Sequence, residues 1–471
     1  MKKTLALLVF SFYFLVSSVS AQDSANVRRG WTFGVLPSFA YDADLGLQLG
    51  LLSNVYYFGD GAVYPDYYHS FYVEAATTSK HYGLYRFAYD SKYLIPGHRL
   101  SIDLTYLPDK MCDFYGFNGY ASYLVPEYAD PASELYKTRA YYKFQRDMFR
   151  LSADLQGTIH KPWYWNAGLG LLSYDVGPVD VAALNKYAKN EEDKLPTGVT
   201  TLYDYYGFGN KVGYHPYLHG GITFDTRDRQ QNPRRGIHAD AFVTYYHHFG
   251  LPTFVRDAAY NDITMNDDNI KFNASWRHYL PVIPNRLTFA YRLGTQLNLF
   301  GDSPFYLDSY LNQLYMQRVI YEGLGGANSV RGILRNRIVA PGVAFANVEF
   351  RVQVAHFKVG KENFYIGLNP FMDAGIVVQP YASVPSDWSK MEFPEVSSDV
   401  WCLTGYMDQL HKQYNDLVDE SRLYAPHLSA GCGLKVAMND NFVLSVDWAT
   451  ALDEQDNSKF SNLYIKMGYM F

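Results

Sequence analysis

The chain is poor in cysteine, modest in charge and, past its first residues, without a long apolar run. Its three cysteines, Cys112, Cys402 and Cys432, are too few and too scattered for a disulfide framework or a zinc site. An oxidising compartment would still permit one pair. Charged residues make up 19% of the 471, with 41 Lys+Arg against 47 Asp+Glu and a net of −6. That balance holds no basic footprint for nucleic acid. Beyond the N-terminus no stretch of about 18 residues is apolar and uncharged, so spanning helices are excluded. What the chain has in quantity is aromatic side chains, 17% of all residues, with 44 Tyr, 30 Phe and 7 Trp. Intrinsic disorder is incompatible with that composition.

The first residues read as an export signal. Lys2 and Lys3 form a positive start, Leu5 to Val16 an apolar stretch too short to span comfortably, and Val19-Ser20-Ala21 a small-residue cleavage site. No cysteine follows, so a lipid anchor is not expected. The expected organisation is a signal peptide over 1–21 and a single barrel domain over 22–471, with no periplasmic domain before the first strand.

From Trp31 onward, segments alternate in polarity with period two. In Ala346–Val354 one face carries Ala346, Val348, Phe350, Val352 and Val354, the other Asn347, Glu349, Arg351 and Gln353. Strands of a soluble sandwich run about five to six residues. Strands of about ten, apolar outside and polar inside, point to a transmembrane barrel, closed because lipid tolerates no unpaired backbone. A first pass yields seventeen segments, with long connections at 108–137, 176–211, 250–268, 300–339 and 379–423. Single-chain bacterial barrels have an even count and their long loops on one side. Merging 138–146 with 147–158, with a turn near Gly157, satisfies both rules. The expected fold is an all-β, antiparallel transmembrane barrel of 16 strands, with a long loop inserted in the lumen between strands 11 and 12. Residues 401–419 of the longest loop could form a short amphipathic helix.

Three motifs stand out. The turn Asp225…Pro233-Arg234-Arg235-Gly236 is, chemically, a charged turn. The stretch Gly323-Leu324-Gly325-Gly326-Ala327-Asn328-Ser329-Val330-Arg331-Gly332 lies in the 300–339 loop without the strand and helix a phosphate loop needs. Its glycines let the backbone enter a tight space, which would carry Arg331 into the lumen, where it needs an anionic partner. Strand parity supplies one. Met372, Ala374 and Ile376 face lipid, so Phe371, Asp373 and Gly375 face inward, as Glu349 does on its own strand. Acids on a lipid face would be expensive. The plainer reading is that Asp373 and Glu349 merely line a wet pore.

These residues resemble the BamA/TamA (bacterial surface antigen) superfamily of outer-membrane assembly and translocation barrels. The resemblance rests on Val330-Arg331-Gly332, Phe371-x-Asp373-x-Gly375 and the Asp225…Pro233-x-Arg235-Gly236 turn, and it is strongest over 212–471. It implies that Arg331 pairs with Asp373 in the lumen, with Glu349 as a second acceptor. Ile333 stands where the family usually has an aromatic, and the family's periplasmic POTRA region is missing. The implied function is biogenesis or export of outer-membrane or surface proteins, with partner proteins in the periplasm or at the surface, through a weakly paired seam between first and last strands. A passive diffusion pore and a structural subunit of a surface complex are the rival readings. Phe471, Tyr469 and Met467 form a terminal apolar face resembling the signal that exported barrels present to their assembly machinery.

No enzyme is expected. His247 and His248 are adjacent and would point to opposite faces of a strand. His215 and His219 share a face but lie about 13 Å apart at strand rise. No Gly-x-Ser-x-Gly elbow is present. No catalytic, cofactor or metal site is read, and the expected surroundings are outer-membrane lipid, without nucleic acid.

Overall fold

The computed structural model describes residues 27–188, 190–230, 232–250, 255–256, 262–263, 268–311, 314, 321–360, 362–381, 420–439, 442–456 and 462–471. The expected signal segment 1–21, Cys402 and the expected helix within 401–419 lie outside these residues.

Sixteen strands form the wall. They are β1 (Trp31–Asp42), β2 (Gly46–Tyr57), β3 (His69–Thr78), β4 (Gly83–Ile95), β5 (His98–Asp113) and β6 (Lys143–His160). Then follow β7 (Trp163–Gly177), β8 (Lys211–Asp225), β9 (Gly236–His247), β10 (Asp268–Ile283) and β11 (Leu287–Phe300). The rest are β12 (Gly342–Val359), β13 (Glu362–Gln379), β14 (His427–Met438), β15 (Phe442–Ala451) and β16 (Asn462–Met467). Each pairs antiparallel with its neighbour in sequence, and β16 returns to β1, so the sheet closes. The long connections all join strand ends on one side of the barrel, which the barrel rule makes the external one.

Residues of β6 alternate in exposure without a break from Lys143 to Ser152, so the join at 146–147 lies inside one strand, as the merging expected, although that strand begins at Lys143 and 138–142 precede it. The turn, however, falls at 161–162 and not at Gly157. Gly157 sits within the strand because a side chain there would strike the Trp165 ring at 2.4 Å. It makes room for a ring and does not turn the chain.

The expected alternation holds on β13, where Met372 is exposed while Phe371, Asp373 and Gly375 are buried. Lipid-facing positions elsewhere carry exposed Leu169, Leu218, Val243, Leu293 and Phe350. The lumen, by contrast, is packed. The loop 301–341 between β11 and β12 sends a helical turn, Phe305–Asp308, against inward tyrosines of the wall, with Tyr174 and Tyr306 ring centroids 5.0 Å apart. Phe114, Phe117, Tyr203 and Phe208 from other external loops join Phe305 and Tyr306 in one buried aromatic cluster. Much of the aromatic surplus is therefore a plug at the external end, burying apolar area that a water-filled lumen would have left wet. Lys271 neutralises Asp308 beneath this plug at 2.5 Å.

Candidate functional site

Arg331 is fully buried at the bottom of the loop. Its backbone N–H donates to Asp373 Oδ2 at 3.0 Å, its Nε to the same oxygen at 2.8 Å and its Nη2 to Oδ1 at 3.0 Å. Side chain and main chain thus grip one carboxylate together, the planar fork geometry that lysine cannot reproduce. Arg331 Nη1 lies 2.9 Å from Glu349 Oε1 and 3.7 Å from Asp447 Oδ2, ion pairs without hydrogen-bond alignment. The Phe371 ring lies under the guanidinium, with its centroid 3.4 Å from Cζ. Burial works against the Arg331 charge, but the Asp373 and Glu349 carboxylates more than offset it and hold the group above the usual arginine range.

Two further cations complete the cluster. Arg351 Nε donates to Glu349 Oε2 at 3.0 Å, and Lys435 pairs with Asp447. Arg331, Arg351 and Lys435 thus pair with Asp373, Glu349 and Asp447, three ion pairs side by side in the lumen. Buried charge on this scale requires such matching.

The glycines fit the loop to the wall. A Cβ at Gly375 would come within 2.9 Å of Ile338 Cδ1 and 3.3 Å of Val330 Cγ2, so the missing side chain is the space the loop occupies. Val330, Ile333 and Ile338 are buried in a small apolar cluster there. Replacing Gly375 by valine should lower the protease protection of 301–341, since overpacking costs about 1–3 kcal/mol. Unchanged protection would show that the loop does not press on this strand. Gly332 takes φ +84° and has no room for a side chain against Thr450 and Ala449 of β15. Its N–H donates to Tyr464 Oη at 3.1 Å, and its carbonyl accepts from Asn462 Nδ2 at 2.7 Å. Lys466 Nζ donates to the Ala327 carbonyl at 2.8 Å. The loop therefore braces the last strand from inside.

Sequence reading singled out Arg331 alone on this loop, and two more arginines also anchor it. Arg335 pairs with Asp109, and with Asp113 at 3.2 Å. Arg337 donates to the carbonyls of Gly119 at 2.8 Å and Ser122 at 2.9 Å and lies 3.2 Å from Asp456. Asp456 in turn accepts from Tyr120 Oη and from His427 Nδ1, each at 2.7 Å. Three arginines within seven positions of one loop were the available signal. Parity would also have marked Asp447 and Lys435 as inward.

The C-terminal reading needs correction. Strand β16 ends at Met467, which is exposed to the lipid side, and does not run on to Phe471. Gly468 takes φ +85° and turns the chain into the lumen, where Tyr469 meets Arg351 at 4.2 Å and the Phe471 carbonyl accepts from Arg351 Nη2 at 2.6 Å. Met467, Tyr469 and Phe471 therefore do not share one face. The inward cations outcompete lipid for the two rings.

That early turn leaves the seam short. Only Tyr41↔Ile465 and Asp42↔Tyr464 pair β1 with β16, against twelve pairs between β1 and β2. Among the described residues Trp31–Ala40 have no partner strand on that side. This portion lies toward the periplasmic end.

The turn at 226–235 crosses beneath the lumen, with Asn232 Nδ2 donating to Tyr365 Oη on β13 at 2.9 Å. His215 Nδ1 and His248 Nδ1 lie 2.8 Å apart, a pair that comparing near neighbours in sequence could not find. Among the described residues no three potential ligands gather to hold a metal. Cys112 is buried and Cys432 exposed, and both are free.

A closed barrel of sixteen antiparallel strands, lipid-facing outside and occupied by its own loop inside, is an integral protein of the bacterial outer membrane. The Omp85 superfamily domain matches residues 215–471, which span the loop, the cluster and the seam strand. The chain belongs to the Omp85 superfamily. Among solved structures it is similar to BamA from Haemophilus ducreyi lacking POTRA domains 1-3, with a TM-score of 0.50 and 13% identity, covering 94% of this chain and 70% of that one. It is also similar to CdiB from Acinetobacter baumannii, with a TM-score of 0.44 and 10% identity, covering 94% and 60%. Likeness at this level of identity is one of fold. No curated protein matches the chain.

Proposed function

We propose that this barrel assists the insertion or export of outer-membrane or surface proteins, with partner subunits presenting the substrate. The observation that carries the reading is the uncovered edge of β1. An edge strand offers a row of unpaired N–H and C=O groups to any incoming strand. In hydrocarbon each such group costs several kcal/mol, so a partner strand gains far more there than in water. Superfamily membership supports the same direction. The work is strand exchange and needs no covalent chemistry. The plugged external end favours this reading over a diffusion pore.

A photo-crosslinking amino acid at Val35, on the open part of β1, should capture exported barrel chains in living cells. The same group at Val243, exposed on the lipid face of β9, should not. Equal capture at both positions would remove the edge from the mechanism.

A further inference from the structure

The segment after β16 sits in a site built for it. Gly468–Phe471 make no ladder pairing, and their hold comes mainly from the wall. Arg351 on β12 donates to the Phe471 carbonyl and lies 4.2 Å from the Tyr469 ring centroid and 5.1 Å from that of Phe471. Arg292 on β11 lies 5.3 Å from the Phe471 ring, and Tyr279 on β10 has its ring 6.3 Å away. Both arginines are buried and fixed from behind. Arg292 donates to Asn347 at 2.8 Å and to the loop carbonyls of Asn328 and Ser329, and Arg351 is held by Glu349. The clamp is therefore fixed from behind, while its occupant leaves the sheet at Gly468, whose N–H donates to the Val443 carbonyl at 2.7 Å and where nothing lies within 4 Å of a Cβ. Arg351 is 4% exposed, and its Nη1 still has no hydrogen-bond partner. A cavity of about 830 Å³ adjoins the segment below the loop, with Tyr164, Arg227 and Arg277 among its walls.

We infer that Arg351, Arg292 and Tyr279 form a binding site for an extended peptide with aromatic side chains two residues apart, filled in cis by Tyr469 and Phe471. Positions two apart share a face of an extended chain. Buried guanidinium groups over such rings attract them more strongly than exposed ones do. The spare Nη1 donor suits a second main-chain carbonyl. Transmembrane strands of other barrels carry this pattern where aromatic girdles meet the interface, so the ligand's origin rests on the assembly reading. Arg351 and Arg331 share the carboxylate of Glu349, so the clamp adjoins the charge cluster that holds the loop.

The test uses the purified barrel in detergent and a fluorescein-labelled peptide with the sequence of Lys466–Phe471, followed by anisotropy. A chain lacking Gly468–Phe471 should bind the peptide, and the intact chain should bind it at least about tenfold more weakly. Adding Arg351→Gln to the shortened chain should weaken binding about tenfold. A peptide with alanine in place of both aromatics should not bind. No gain on shortening, or equal binding of the alanine peptide, overturns the inference. If the shortened chain does not fold, full-length Tyr469→Ala/Phe471→Ala serves instead, and its failure to bind the peptide is equally decisive. A barrel whose β1–β16 seam is locked by a disulfide should still bind. Loss of binding there would move the site to the β1 edge. Failure of peptide binding leaves the seam-dependent activity standing, so the two claims fall separately.

Discussion

Arg331→Ala should release the 301–341 loop, making it protease-sensitive and lowering the folded fraction seen as heat-modifiable mobility. Removing one partner of a buried pair costs about 3–5 kcal/mol because the remaining charge is stranded. Here the stranded charge would be the Asp373 carboxylate, whose ion pair is with Arg331. Asp373, Glu349 and Asp447 all lie within 4 Å of the Arg331 guanidinium, and of these Glu349 keeps Arg351 and Asp447 keeps Lys435. Asp373→Asn should be milder, since Glu349 and Asp447 still neutralise the arginine. Arg331→Lys keeps the charge but loses the fork on Asp373 and should fall between the two. The charge swap Arg331→Asp with Asp373→Arg should not rescue the loop, because a new aspartate would then face Glu349 and Asp447. Wild-type protection in Arg331→Ala would mean that the apolar contacts of Val330, Ile333 and Ile338 hold the loop unaided.

Strand alternation made most of this wall legible, because lipid outside and polar groups inside leave a period-two trace on every strand. The same parity placed Phe371, Asp373, Gly375 and Glu349 on the lumen side, where the structure has them. Glycine was harder to read. At Gly157 it opens space for Trp165 within a strand, at Gly468 it ends a strand, and the two look alike in sequence. The C-terminal segment was misread because alternation continues through Tyr469 and Phe471 after the ladder has stopped. Their destination depends on Arg351 and Arg292, which lie more than a hundred positions away. The aromatic plug was invisible for a similar reason, since Phe114, Tyr203 and Phe305 come from three separate loops with no shared pattern.

The seam carries the proposed activity, and its weakness is a matter of geometry. Strand β16 offers six residues, its chain leaves the sheet at Gly468, and the loop holds Asn462, Tyr464 and Lys466 from inside. Opening therefore breaks two cross-strand pairs, whereas parting β1 from β2 would break twelve. A client strand that pairs along Trp31–Ala40 gains a full ladder in exchange. The decisive measurement is client assembly by a barrel carrying Tyr41→Cys and Ile465→Cys, the cross-strand partners of the closed seam, with the native cysteines replaced by alanine. Oxidised, the barrel should remain folded while its assembly activity drops to background, and reduction should restore it. An oxidised, fully crosslinked barrel that assembles clients as well as the reduced one would contradict the account.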